Sequence, residues 1–455
     1  MKKKTPLFLP IIRRIQESGR VQHTTINLTG PGGVARLHLT PSKFSLRPLP
    51  SMLVINGMYR LPLSSGPAAM VRAFINTMDR YGKAEVSETM LEKIIEETIK
   101  TARHLYPDLS IRQARAEFDA MMNVIIRLAR NEPIAVSEVG YTMEEWAKIA
   151  QGPERMDIMV MPVKRNGRRV CNLDCGVCYA AELETAELST GQWRRIIQRL
   201  KSCGVSQITF TGGEPTVRED LVELVAAAKW YVTRLNTNGT LLTLELCRAL
   251  YEAELDAVQI TLYSHNTTVH ETLVGKRGAW QKTIQGIKNA VAAGLNVSVN
   301  VPLVCDNADG FTKTLKFIRT LGVLYVTCSG VIRTGGGAEL SEGEALTRNE
   351  LLRVLTSATE QAASLGIEIQ FTNPGQLTAE QLAFLGLPEP MCGACLSNMS
   401  IRPDGQVVPC QSWIAKPLGH ILRTPWSWIW KGSVCRGIRE KFALHNYCPL
   451  SGEEV

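Results

Sequence analysis

The chain has 455 residues, too long for one ordinary domain, and length alone suggests roughly three. Hydrophobic residues make up 45% and charged residues 21%, a globular composition that excludes wholesale disorder. The net charge of +8 is a mild excess, concentrated in Lys2, Lys3, Lys4, Arg13, Arg14 and Arg20; without interleaved aromatics it reads as a solvated arm rather than a nucleic-acid surface.

The apolar stretch behind that arm breaks at Pro10 and Arg13, a poor secretion signal. No uncharged apolar run reaches the ~18 residues of a membrane span, so the chain reads as cytoplasmic. Residues 33–63 then alternate apolar and polar, and Asn56-Gly57 between apolar flanks predicts a tight hairpin. Helical periodicity follows at about 67–80, 88–105 and 111–130, where Phe118, Met121, Met122, Ile125 and Leu128 share a stripe. Strands followed by three helices make an α+β domain over residues 1–135. Pro133 ends it, and Thr142 to Glu145 reads as a capping box opening a helix in a linker over 136–155.

From residue 155 the rhythm changes. Strands are expected at about 156–163, 205–211, 231–237, 257–262, 296–303 and 323–328. Helices are expected at about 189–203, 218–230, 243–254, 278–293, 311–321 and 347–365, the first opened by the Ser189/Gln192 capping box. Six strand–helix repeats imply a parallel sheet, because each crossover returns the chain in the same direction. They are too few to close an eight-stranded barrel. Residues 156–366 are therefore expected to fold as α/β, either an open partial barrel or a doubly wound sheet. Past residue 367 the repeats stop, and a tail rich in Cys, Pro and Trp runs to 455.

All 12 cysteines fall after residue 170. Clustering of that kind points to metal or redox chemistry rather than a disulfide framework. Cys171, Cys175 and Cys178 lie just after the first strand, where an α/β fold places its active-site loop. Three thiolates can hold three corners of an iron–sulfur cube. With no fourth Cys at matching spacing, one iron keeps the open position a catalytic centre needs, by the logic familiar from zinc. Zinc, or thiols that merely pack, is the bland alternative. At the end of the second strand stands Thr211-Gly212-Gly213-Glu214-Pro215: two glycines permit close backbone approach of a ligand, and Glu214 offers an acceptor for a cationic amine.

Cys171/Cys175/Cys178 with Gly212-Gly213-Glu214-Pro215, followed by Asn236-Thr237-Asn238-Gly239 on the third strand, resembles the radical S-adenosylmethionine superfamily over about residues 156–330. The resemblance implies a partial (β/α)6 TIM-like barrel and a [4Fe-4S] cluster whose open iron chelates the methionine moiety of S-adenosylmethionine. Electron transfer into the sulfonium would then release a 5′-deoxyadenosyl radical that abstracts hydrogen from a substrate. It also implies that Gly212, Gly213 and Glu214 meet the methionine moiety and that the backbone of Val177 meets adenine. Val177 departs from the usual aromatic residue. Thr237, Thr261 and Asn300 match polar positions on later strands that touch the cofactor in relatives. Ile260 to Ser264 with His270-Glu271 resembles a segment of peptide-modifying members, many of which carry Asp where Tyr263 stands; by itself His270 reads as a locally satisfied helix residue.

In the tail, Pro403-Asp404-Gly405 between apolar flanks predicts a hairpin with Cys395 and Cys410 at its two ends. Cys392, Cys395, Cys410 and Cys448 could hold an iron–sulfur cluster, and four cysteines would satisfy zinc equally well. Cys392, twelve residues, Gly405, four residues, Cys410 resembles the first half of the SPASM auxiliary-cluster domain of peptide maturases, and the expected helix Trp426–Arg439 the segment after it. The dense cysteine run of the second half is absent before residue 455, so the tail resembles the shortened twitch form with one auxiliary [4Fe-4S] cluster. Its fourth ligand is Cys448, Cys435 or an open site. Cys203, Cys247, Cys305 and Cys328 read as core thiols, and Trp426, Trp428 and Trp430 as packing residues.

The function implied is maturation of a ribosomal precursor peptide or protein, with a flavodoxin- or ferredoxin-like electron donor, to give a crosslink, thioether or epimer. In element order residues 1–135 resemble a winged-helix leader-binding domain, against the alternative of a structural cap. Small-molecule radical chemistry and a catalytically degenerate scaffold are the competing classes. The intact triplet and Glu214 argue against the scaffold.

Overall fold

The computed structural model describes residues 24–30, 33–39, 51–55, 59–63, seven positions within 70–81, 87–105, 110–129, 150, and 152–450 apart from 206, 230, 342 and 443–446. They divide into two compact units, Met1–Ala150 and Gln151–Val455.

In the first unit, β1 (Thr24–Gly30), β2 (Gly33–Leu39), β3 (Ser51–Ile55) and β4 (Tyr59–Leu63) form an antiparallel meander in chain order. Pairing of Ile55 with Tyr59 brackets Asn56-Gly57, which themselves lie outside the described residues. β1 escapes the sequence reading because only Ile26 and Leu28 mark its apolar face. Helices α1 (Glu88–Leu105) and α2 (Ile111–Ala129) start and end within a residue of expectation. Phe118 and Met121 are buried, and Phe118 meets Phe74 edge-on at 5.6 Å between ring centres. The described positions within 70–81 are helical. The Thr142 capping box and most of the linker helix fall outside the described residues.

The second unit is built on one ten-stranded sheet. Its repeating part comprises β5 (Arg155–Met161), β8 (Gln207–Gly212), β9 (Val232–Thr237), β10 (Ala257–Thr261), β11 (Asn296–Pro302), β12 (Tyr325–Ser329) and β13 (Glu368–Phe371), side by side in that order and all parallel. The short β6 (Lys164–Arg165) and β7 (Arg168–Arg169) pair only with each other. The order never reverses, so there is no switch point, and the doubly wound alternative fails. The connecting helices are α3 (Thr190–Leu200), α4 (Leu221–Ala227), α5 (Leu244–Glu252), α6 (Thr267–Leu273), α7 (Ala279–Ala292), α8 (Cys305–Ala308), α9 (Phe311–Thr320) and α10 (Arg348–Leu365). Ser189 and Gln192 close the expected capping box on α3. Alternate strand residues such as Ile158, Phe210, Leu235, Ile260 and Val299 are fully buried, together with Trp193 and Ile196 of α3.

Several expectations need correction. The repeats do not stop at residue 367: β13 adds a seventh parallel strand, too short at four residues to register as a period. The Cys-rich tail extends this same sheet. After α11 (Ala379–Phe384), β14 (Asn398–Ile401) pairs in parallel with β5, and β15 (Gln406–Val408) and β16 (Gly419–His420) continue it antiparallel. Finally, the helix expected over Trp426–Arg439 is two, α12 (Trp426–Trp430) and α13 (Ser433–Phe442), broken at Lys431-Gly432. Ile429 and Trp430 are buried, but Trp428 is 73% exposed and does not pack. Cys203, Cys247 and Cys328 are core thiols as expected, whereas Cys305 opens α8 half-buried.

Candidate functional site: two cysteine loops on one sheet

The loop leaving β5 carries Cys171, Cys175 and Cys178, and its path is fixed by backbone bonds to three separate elements. Cys171 N donates to Val163 O near the exit of β5; Asp174 N and Gly176 N donate to Val274 O and Leu273 O at the end of α6. On the far side Gly336 N donates to Cys178 O at 2.9 Å. The approach there is so close that a Cβ on Gly336 would lie 2.1 Å from Gly176 O, so only glycine fits. Cys175 and Val177 pack against Leu173, Tyr263, Leu273 and Val274; Cys171 and Cys178 pack against Met159, Val163 and Leu183. Burial pushes the Cys171 thiol up to about 11 and raises Cys175 and Cys178 too, the nearby sulfurs adding repulsion at Cys171 and Cys175. Thiolates gathered here therefore call for a cationic partner, which iron supplies.

Glu214, two residues past the end of β8, is almost fully buried, at 1% exposure. Its Oε1 accepts from Thr216 N (3.0 Å), Thr216 Oγ1 (2.6 Å) and Thr237 Oγ1 (2.6 Å), and Oε2 accepts from Asn238 N (2.8 Å). Burial raises the proton affinity of this carboxyl, while those four donors pull it back down. Gly213 lies against the cysteine loop: a Cβ there would stand 2.4 Å from Pro162 O and 3.4 Å from Cys171 Cβ. Gly212, at φ +131°, holds a backbone conformation that L side chains rarely adopt.

The structure brings most of the expected cofactor positions together, with different roles for some. The Thr237 hydroxyl is committed to Glu214, so it orients the carboxylate. Asn300 Oδ1 accepts from Thr327 Oγ1 (2.8 Å), which accepts from Gln259 Nε2 (2.7 Å); Thr261 pairs in register with Asn300. His270 is only half satisfied: Nδ1 accepts from Tyr263 N at 3.3 Å, while the buried Nε2 finds no partner among the described residues. Burial holds this ring down to about 4. Sequence reasoning missed Asn172 and Asn238. Asn238 Nδ2 donates to Asn172 Oδ1 (2.8 Å), tying the third strand to the residue after Cys171. The only signal was the Asn236 to Gly239 motif itself.

In the tail, the β14–β15 hairpin pairs Ser400 with Val408 and has Cys395 and Cys410 beyond its two ends, as expected. Burial pushes Cys392 up to about 11 and Cys410 up to about 12; Cys448 adds repulsion to both, and Cys392 adds to Cys410. Cys395, at φ +59°, lies beside Cys435, whose own thiol is held below its ordinary value by Cys395 and Arg439. Cys435 thus joins the four expected positions in one neighbourhood. The two loops also touch: the half-buried Tyr179, next to Cys178, donates to Oε1 of Gln411, next to Cys410, at 3.3 Å. Among the described residues no three His, Cys, Asp or Glu side chains close on a single ion; cubane thiolates sit on separate irons and need more room. The donor set fits iron–sulfur binding at both loops. At the first, the glycine-lined approach and the buried Glu214 fit a ligand carrying an ammonium group.

Comparison with known proteins agrees with this geometry. Residues 167–318 match the radical SAM superfamily, and residues 392–450 match SPASM, an iron-sulfur cluster-binding domain. The chain is 28% identical over 250 residues to a PqqA peptide cyclase of Granulibacter bethesdensis, covering 53% of this chain and 65% of that protein. An AdoMet-dependent heme synthase of Methanosarcina barkeri is 26% identical over 309 residues, covering 62% of this chain and 85% of that one. Among solved structures, Streptococcus suis SuiB bound to its precursor peptide SuiA superposes with a TM-score of 0.58 at 14% identity, over 87% of this chain and 88% of that one. No described helix is long and apolar enough to cross a membrane.

Proposed function

For a chain that joins a radical SAM domain to a SPASM iron–sulfur domain, we propose an enzyme that makes a post-translational crosslink, thioether or epimer in a ribosomal precursor peptide. The observation carrying this reading is the pairing of two thiol loops on one sheet, linked through Tyr179 and Gln411. Cys171, Cys175 and Cys178 would hold the cluster, which with S-adenosylmethionine would supply the hydrogen-abstracting radical. The chain's own residues bind and orient. Glu214, held by Thr216, Thr237 and Asn238, accepts the methionine ammonium; Gly212 and Gly213 let it approach; Val177 offers its backbone to the adenine; Thr261 and Asn300 line later strand ends. Leu173, Tyr263, Met159 and Val163 keep water from the thiol loop.

Residues 1–135 are the leader-recognition domain on this reading. β1 and β4 are the edges of the four-stranded sheet, and an extended leader would add a strand to one of them. A flavodoxin- or ferredoxin-like protein is the proposed electron donor. The likeness to heme synthases favours, as a second reading, a small-molecule substrate.

The test is anaerobic reconstitution with reductant, S-adenosylmethionine and a short peptide encoded beside the gene. The expected result is 5′-deoxyadenosine formed in step with a mass change in the peptide, −2 Da for a crosslink. Cofactor cleavage with an unaltered, unbound peptide would overturn the peptide reading; no cleavage at all would overturn the enzyme.

A further inference from the structure

Two buried arginines in the second unit are treated very differently by the fold. Arg218, its side chain 6% exposed, forms ion pairs with Glu187 (3.1 Å) and Asp220 (2.7 Å). Arg439 on α13 is 9% exposed, yet among the described residues its partners are uncharged groups and sulfur. Nη1 donates to Cys395 O at 2.8 Å and lies 3.8 Å from Cys435 Sγ; Nη2 donates to Trp430 O at 3.2 Å. The guanidinium also lies 4.1 Å over the Trp430 ring. Carbonyl dipoles and a ring face spread a positive charge without cancelling it. A buried cation lacking an anion is strongly disfavoured. The position next to Cys395 and Cys435 says where the anion belongs.

We propose that Arg439 is the built-in counter-charge of the auxiliary iron–sulfur cluster and holds its reduction potential up. A cluster bound by cysteine thiolates carries net negative charge, and its potential responds to nearby charge and to hydrogen bonds at its sulfurs. A fixed guanidinium favours the reduced state, which is one charge more negative. Two features make the device specific. Arg439 reaches the Cys395 backbone, so the cation is tied to the loop that carries the thiols. Its stacking on Trp430, itself buried at the end of α12, keeps it there without a carboxylate that would neutralise it. Arg439 is a positioning and tuning residue, acting through the cluster and touching no substrate.

The experiment uses the full chain, reconstituted without oxygen, as wild type, Arg439→Gln and Arg439→Lys. Iron content is measured first. The auxiliary signal is then titrated by electron paramagnetic resonance at controlled potential, in the background Cys171→Ala, Cys175→Ala, Cys178→Ala so that only that site contributes. Gln keeps donors for the two carbonyls but removes the charge. At the wild-type midpoint, Arg439→Gln is expected to raise the oxidised-to-reduced ratio about tenfold, about 59 mV for one electron. Arg439→Lys should stay within threefold of wild type. Loss of auxiliary iron in the Gln variant with retention in the Lys variant supports the same role. A Gln midpoint within threefold of wild type at full iron content overturns the proposal. So does equal failure of both variants to load iron, which would make Arg439 a packing residue.

Discussion

Replacing Glu214 with Gln tests the cofactor reading at its most exposed point. The carboxylate gathers four donors within 3.0 Å, two from Thr216, one from Thr237 and one from Asn238. The amide keeps one acceptor oxygen but sets N–H against N–H or O–H on the other side, whichever way it turns. One buried donor is then left unmade, a loss of about 1–3 kcal/mol of stability. Binding suffers separately. A charge-assisted hydrogen bond to an ammonium contributes about 1.5–3 kcal/mol, so affinity for S-adenosylmethionine should fall about ten- to 150-fold. The pH dependence has a definite sign: burial raises the proton affinity of Glu214, so wild-type affinity declines as pH falls through its pKa, and Glu214→Gln removes that decline. Equilibrium binding to the reconstituted chain, measured across pH, reads both effects. Affinity within threefold of wild type, or an unchanged pH profile, would refute the assignment of Glu214 to the ammonium.

Other expectations concern ligation, packing and protonation. Wild type should bind about eight irons per chain. Alanine at Cys171, Cys175 and Cys178 should leave about four and abolish cofactor cleavage, while alanine at Cys392 and Cys410 should also leave about four but keep cleavage and lose modified peptide. Gly336→Ala would press its Cβ to 2.1 Å from Gly176 O; iron analysis should find the first site lost and the auxiliary site kept. Gly191→Ala, where a Cβ meets nothing within 4 Å, is the control. His270 is held down to about 4 against an ordinary 6.5. The unfolded chain therefore takes the proton first, and stability present above pH 6.5 is lost as pH falls towards 4. Denaturant unfolding should show roughly 2 kcal/mol less stability at pH 5 than at pH 7, and His270→Leu should flatten that dependence.

What the sequence made legible follows from which forces leave a periodic trace. The six strand–helix repeats were readable because burial on both sides of a parallel strand needs a run of apolar residues, and each helix declares itself through its stripe and its cap. The cysteine triplet and Glu214 were readable because thiolates and a buried carboxylate have few other uses at the ends of such strands. β13, four residues at the sheet edge, leaves no period. Pairing of β14 with β5 spans some 240 positions and is decided by the whole sheet, with nothing local to mark it. That unreadable pairing has the largest functional consequence. It lays the segment after Cys410 along the exit of β5, so that Ile414 joins Met159 and Val163 in one apolar cluster and Gln411 meets Tyr179. Two motifs separable on paper thereby become neighbours, through a contact that neither motif encodes.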